Sequence, residues 1–128
     1  MEEALETLKL DFRSALPLSE QLKEQLRLQV LAGRLPPGAQ LPPIRQLAVR
    51  LNLNPNTVAK VYRELEAERF IENHPGRGCF VAVRLPEDAD EERRDALCRE
   101  MRRFLERAGT LGYSIEEIIT IMREVADE

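Results

Sequence analysis

Apolar residues recur at helical spacing in five stretches of the chain and favour extended structure in two shorter ones. Residues 17–32 place Leu18, Leu22, Leu26 and Val30 one turn apart, behind Pro17 and Ser19 and ahead of Gly33, so they read as a helix with a glycine stop. Arg34-Leu35-Pro36-Pro37-Gly38-Ala39-Gln40 is a turn-rich link. Residues 41–51 carry Ile44, Leu47, Ala48 and Leu51, with Pro42 and Pro43 tolerable only at or before the first turn. After Asn52-Leu53-Asn54, residues 54–68 form the most distinctive helix. Asn54 suits the N-cap, Pro55 the first helical position, and Val58, Val61, Tyr62 and Leu65 fall at i, i+3, i+4 and i+7.

Phe70-Ile71-Glu72-Asn73 and Cys79-Phe80-Val81-Ala82-Val83 flank the turn His74-Pro75-Gly76-Arg77-Gly78, a hairpin that must pack on the helices to be stable. Leu85-Pro86-Glu87-Asp88-Ala89-Asp90 is an acidic connector. Residues 90–108 hold Leu97, Met101, Phe104, Leu105 and Ala108 on one stripe, and Gly109-Thr110-Leu111-Gly112 breaks it. Ser114-Ile115-Glu116-Glu117 is a capping box, followed by Ile118, Ile119, Met122 and Val125. Residues 1–16, where Leu8, Leu10 and Phe12 alternate with polar neighbours, are compatible with a short extended segment, a loose arm or a frayed end.

The expected fold is therefore mostly α with a small β-hairpin. A winged helix-turn-helix occupies 1–84, and a helical hairpin used for dimerisation occupies 85–128. The tail has two apolar faces and too little chain to bury both internally, so it is expected to pack on its own copy. Leu97, Met101, Phe104, Leu105, Ile115, Ile118, Ile119 and Met122 are the candidate dimer residues.

Charge alters this picture locally. The 128 residues carry a net −4, which argues weakly against a nucleic-acid partner. Residues 34–84 nevertheless hold eight Arg/Lys against four acids, while 85–128 hold seven Arg against 13 acids. Salt screens charge beyond about 8 Å, so the local sign governs what the helix-turn-helix can touch. The tail's Arg93, Arg94, Arg99, Arg102 and Arg103 are interleaved with acids, as on a solvated helix face.

Chemistry concentrates at the front of residues 54–68. Asn54, Asn56, Thr57, Lys60 and Arg63 lie at the helix start or off its apolar stripe, with no acid before Glu64. Amides, a hydroxyl and bare N–H groups there suit a polyanion. A second helix entering the major groove is the helix-turn-helix arrangement, although spacing alone also allows an ordinary helical hairpin. Arg77, between two glycines, is well placed for the minor groove or phosphates. The DNA-facing candidates are Arg45, Asn54, Pro55, Asn56, Thr57, Lys60, Tyr62, Arg63, Gly76, Arg77 and Gly78; Tyr62 also lies on the apolar stripe.

Other classes find little footing. Cys79 and Cys98 stand far apart, so no zinc site or disulfide framework is expected, and free thiols suit a reducing compartment. His74 sits in a turn without a nucleophile or carboxylate pair, so no enzyme and no cofactor are expected. No signal peptide or apolar run of about 18 residues appears, which points to the cytoplasm and away from a membrane.

Several motifs together resemble the GntR family of bacterial transcription regulators. They are Pro17…Gln21, Gly33-Arg34-Leu35-Pro36-Pro37-Gly38-Ala39-Gln40-Leu41-Pro42, Arg45-Gln46-Leu47-Ala48, Asn56-Thr57-Val58…Tyr62-Arg63-Glu64-Leu65 and Gly76-Arg77-Gly78-Cys79-Phe80-Val81. The short two-helix tail resembles the YtrA subfamily, whose members are compact dimeric repressors often encoded beside transporter genes. The resemblance implies that Arg45 reaches DNA from the second helix, that Asn54, Asn56 and Thr57 meet bases or phosphates, and that Gly76-Arg77-Gly78 touches the minor groove. Pro43 and Asn54 stand where the family commonly has Ser, and Arg69-Phe70 where it has Gly, so base preference does not carry over. The expected partner is double-stranded operator DNA, bound by a homodimer at an inverted repeat. A small effector stays open, as does a winged-helix protein-interaction module without specific DNA binding.

Overall fold

The computed structural model describes residues 2–128. Their order is α1 (Glu2–Glu6), α2 (Leu18–Leu31), α3 (Ile44–Leu51), α4 (Pro55–Ala67), β1 (Ile71–His74), β2 (Gly78–Val81), α5 (Ala89–Gly109) and α6 (Ile115–Ala126). The chain forms two compact units, one ending at Asp90 and the other Glu91–Glu128. The division thus lies beyond the expected 84/85 boundary. Leu85 packs on the first core and Ala89 is buried in it, which keeps the acidic connector with the first unit.

In the first unit α4 packs against both α2 and α3. Its stripe, Val58, Val61, Tyr62 and Leu65, joins one core with Leu22, Leu26, Leu47 and Ala48. Burying each such Val or Leu is worth about 1.5–3 kcal/mol. Ion pairs line the α2–α4 seam: Lys23 Nζ lies 2.5 Å from Glu68 and 3.5 Å from Glu64, and Arg27 lies 3.6 Å from Glu68. The hydrogen bond to Glu68 raises the Lys23 pKa against the opposing effect of burial. Partly exposed pairs contribute up to about 1 kcal/mol each, so they orient α2 on α4 while the core holds it.

Two non-glycine residues take the left-handed conformation. Asn52 (φ 56°) caps α3, and Leu53 N donates to Ala48 O at 2.8 Å, so the chain reverses within the short turn before α4. Arg69 (φ 68°) ends α4, and Phe70 N donates to Leu65 O at 2.9 Å while the Phe70 ring enters the core. Asparagine visits this region readily; arginine is strained there.

The hairpin is antiparallel, with Ile71 opposite Val81 and His74 opposite Gly78. It does not rest on two strands alone. The stretch expected to be a plain link pairs with β2: Gly38 N donates to Val81 O at 2.9 Å, Val81 N to Ala39 O at 2.8 Å and Leu41 N to Cys79 O at 2.8 Å.

Residues 2–16 are neither frayed nor extended throughout. Glu2–Glu6 is helical, and Ala4, Leu5 and Leu8 are buried in the first core. Glutamines of α2 then grip the following backbone. Lys9 N donates to Gln25 Oε1 at 2.8 Å, and Gln25 Nε2 donates to Lys9 O at 2.6 Å. Asp11 N donates to Gln21 Oε1 at 2.8 Å, and Gln21 Nε2 donates to Asp11 O at 3.0 Å and Leu16 O at 2.8 Å. Gln29 adds a bond to the Thr7 hydroxyl at 2.9 Å.

The second unit holds α6 and most of α5. The capping box forms as expected: Glu117 N donates to Ser114 Oγ at 3.2 Å, and Ser114 N to Glu117 Oε1 at 3.0 Å. The bond from the Ser114 backbone holds the Glu117 carboxyl below its ordinary pKa. Among the described residues no helix is long and apolar enough to cross a membrane.

Backbone strain at the two left-handed residues sets a stability test. Asn52→Val should lower stability by about 1–2 kcal/mol, the penalty for a left-handed L-residue. Arg69→Gly should raise it by about 0.5–1 kcal/mol, because relief of that strain exceeds the extra chain entropy glycine loses. Urea midpoints at fixed protein concentration, with m unchanged, check both.

Candidate nucleic-acid interface

Because the α4 stripe faces the core, Asn56, Lys60 and Arg63 are left exposed, and Thr57 half-buried. The acids of this helix are turned to structural use. Glu64 and Glu68 meet Lys23 of α2, and Glu66 accepts from Asn73 N of β1 at 2.9 Å. Lys60 lies 3.9 Å from Glu64 with its side chain about half exposed, a loose pairing that leaves the ammonium available to an anion. The front of α4 therefore presents donors and no carboxylate.

The front is not built of bare N–H groups, however. Asn54 caps the helix by accepting from Asn56 N at 2.8 Å through its side-chain oxygen. Thr57 N donates to Asn54 O at 2.9 Å, and Pro55 has no N–H to offer. The first turn is satisfied from within, so side chains rather than backbone must meet a phosphate or base. The capping bond also occupies Asn54 Oδ1. Bidentate recognition of adenine needs both halves of an amide, which makes Asn56 the better base reader of the two.

Tyr62 does not belong to this surface. It is 4% exposed, and its hydroxyl donates to Pro42 O at 2.7 Å. That bond ties α4 to the residues leading into α3 and satisfies a phenol that could not otherwise be buried. Burial, with Cys79 nearby, pushes its pKa up. The Cys79 thiol is likewise raised, first by burial and then by Glu66, so it is a poor nucleophile. With Arg63, Glu66 and Asn73 it lines a hollow of about 150 Å³ between α4 and the hairpin.

Arg45 is exposed in the first turn of α3. One turn later on the same face stands Val49, 83% exposed. Periodicity does not single out Val49, since a lone valine off the stripe gives no periodic signal. An exposed apolar side chain beside an arginine suits a thymine methyl group.

At the hairpin tip, Arg77 N donates to His74 O at 2.9 Å. Pro75 in second place and Gly76 (φ 77°) in third are what a type II turn demands. Gly76, Arg77 and Gly78 are all exposed. The Arg77 guanidinium lies 5.5 Å above the Phe80 ring, and the His74 ring packs 4.9 Å from the same ring. His74 is thus part of the tip's packing, with Nε2 3.1 Å from the Glu72 carboxylate, rather than a loose turn residue. Among the described residues no group of His, Cys, Asp or Glu is arranged to hold a metal ion.

The candidate dimer residues lie in the second unit, and the structure divides them. Leu97, Met101, Phe104, Ile115, Ile119 and Met122 are exposed, Leu105 is half-buried, and Ile118 is buried. Phe104, Tyr113, Ile118, Ile121, Met122 and Val125 border an apolar hollow of about 470 Å³.

Residues 18–81 match the family described as "Bacterial regulatory proteins, gntR family". The chain is 31% identical over 119 residues to the HTH-type transcriptional repressor YtrA of Bacillus subtilis (strain 168), spanning 93% of this chain and 92% of that protein. It is 34% identical to the HTH-type transcriptional regulator Rv1152 of Mycobacterium tuberculosis, over 94% of this chain and 95% of that one. The solved structure of YtrA from Sulfolobus acidocaldarius, a GntR-family transcription factor, superimposes with a TM-score of 0.55 at 32% identity, covering 93% of this chain and 96% of that one. Similarity that runs from the winged helix through the tail, and not over the DNA-binding segment alone, makes this chain a member of the GntR family and a DNA-binding transcriptional regulator of the YtrA type.

Proposed function

We propose that the chain is a cytoplasmic repressor that binds an inverted-repeat operator as a homodimer, with transporter genes among its targets. The observation that carries this reading is the division of α4: one face is sealed in the core, and the other shows Asn56, Lys60 and Arg63 with no acid at its front. In this arrangement α4 lies in the major groove, Asn56 reads a base edge, and Arg45 and Lys60 hold phosphates. Arg77 at the wing tip reaches the adjacent minor groove. The B. subtilis relative, named a repressor, supports the direction of control. The exposed Leu97, Met101 and Phe104, at helical spacing along α5, and Ile119 on α6 support pairing through the tail, since large apolar side chains left in water are commonly covered by a partner.

Enrichment of bound duplexes from a random pool at stated salt should return an inverted repeat with half-sites about 34–36 Å apart. A pool with no repeated half-site would overturn the proposal. On the enriched duplex, Asn56→Ala should cost about 1–3 kcal/mol and relax preference at one base pair. Lys60→Ala should instead weaken all duplexes alike and reduce the salt slope by about 1. Phe104→Glu with Ile119→Glu should give a folded monomer by sedimentation that has lost tight operator binding. A dimer that survives both changes would place the interface elsewhere.

A further inference from the structure

We infer that Gln40 is a positioning residue for DNA readout, holding the wing tip so that Arg77 is presented to the groove. The inference rests on the proposed contact between the wing and DNA. Gln40 precedes α3 by only a few residues and is paired with the hairpin as an isolated bridge opposite Phe80. From there its side chain reaches along β2 to the tip, where Nε2 donates to Arg77 O at 2.9 Å. This bond crosses from the helix-turn-helix segment to the wing, 37 residues on.

The tip is shaped to admit it. A Cβ on Gly78 would lie 2.9 Å from Gln40 Nε2, so the amide would have to swing away from its place beside the tip. Gly78 also has φ 117°, which side chains rarely adopt. Two restraints then act on Arg77 from different directions. The Gln40 amide fixes its carbonyl, and the Phe80 ring lies under its guanidinium at 5.5 Å. An exposed turn with one arginine would otherwise sample many orientations, and a groove contact would lose affinity by that freedom. Gln40 itself is exposed, so its bond contributes little to the stability of the fold.

A double-mutant cycle on the full chain, read with a duplex enriched by the wild type from a random pool, tests this. Gln40→Ala should weaken binding roughly three- to tenfold, the range of one net hydrogen bond, with the melting temperature unchanged. In the Gln40→Ala background, Arg77→Ala should have a much smaller effect than in the wild type, because the arginine is already poorly presented. Amide relaxation supplies a readout free of DNA. Order parameters at residues 76–78 should fall from about 0.85 toward 0.6 in Gln40→Ala. Additive effects of the two substitutions, or unchanged order parameters, would overturn the role of Gln40 and leave the wing contact standing. An Arg77→Ala variant that binds as tightly as wild type would instead sink the wing contact, and this inference with it.

Discussion

Everything on the polar side of α4 depends on burying Val58, Val61, Tyr62 and Leu65. With about 1.5–3 kcal/mol at stake for each large side chain, α4 has one rotational setting that keeps the stripe in the core. That setting fixes where Asn56, Lys60 and Arg63 go. The polar face is therefore positioned by the apolar one, and no contact among Asn56, Lys60 and Arg63 themselves is needed. The bond from Tyr62 to Pro42 O then fixes the approach to α3 from beneath, with its hydroxyl satisfied inside the protein.

The acids explain how a chain of net −4 can carry a face for a polyanion. Glu64 and Glu68 are drawn to Lys23 and Arg27, and Glu66 is spent on the Asn73 backbone. Each contact is modest in energy. Together they turn the helix's own negative charge toward its neighbours and away from its entrance. Over a screening distance of about 8 Å this local sorting matters more than the total.

What could be read from the residues was what local periodicity and capping determine. The span of α4, its Asn54 cap, the Ser114–Glu117 box and the glycine-tipped hairpin all follow from near neighbours, and all are present. What escaped was non-local. Gln21, Gln25 and Gln29 look like ordinary polar positions of a surface helix, yet two of them clamp backbone far upstream. The link before α3 has no strand-like pattern, yet it pairs with β2 because that edge was open. Tyr62 fitted both a stripe and a DNA face on paper, and burial assigns it to the first. Helix geometry alone leaves bare N–H groups at the α4 entrance, but the asparagine cap and proline leave none in the first positions.

The glutamine clamps make Lys9 and Asp11 behave like residues on a sheet edge, each offering both its N–H and its C=O to a fixed amide. Such pairing has a register. Lengthening or shortening the chain by one residue between Leu8 and Leu16 would turn the wrong carbonyl toward Gln21 or Gln25 and pull Leu8 out of its seat. Additions ahead of α1 would disturb neither clamp. Variation in length among related chains should therefore gather before this segment and be absent within it, and a fusion joined at that end should leave the reader beneath undisturbed.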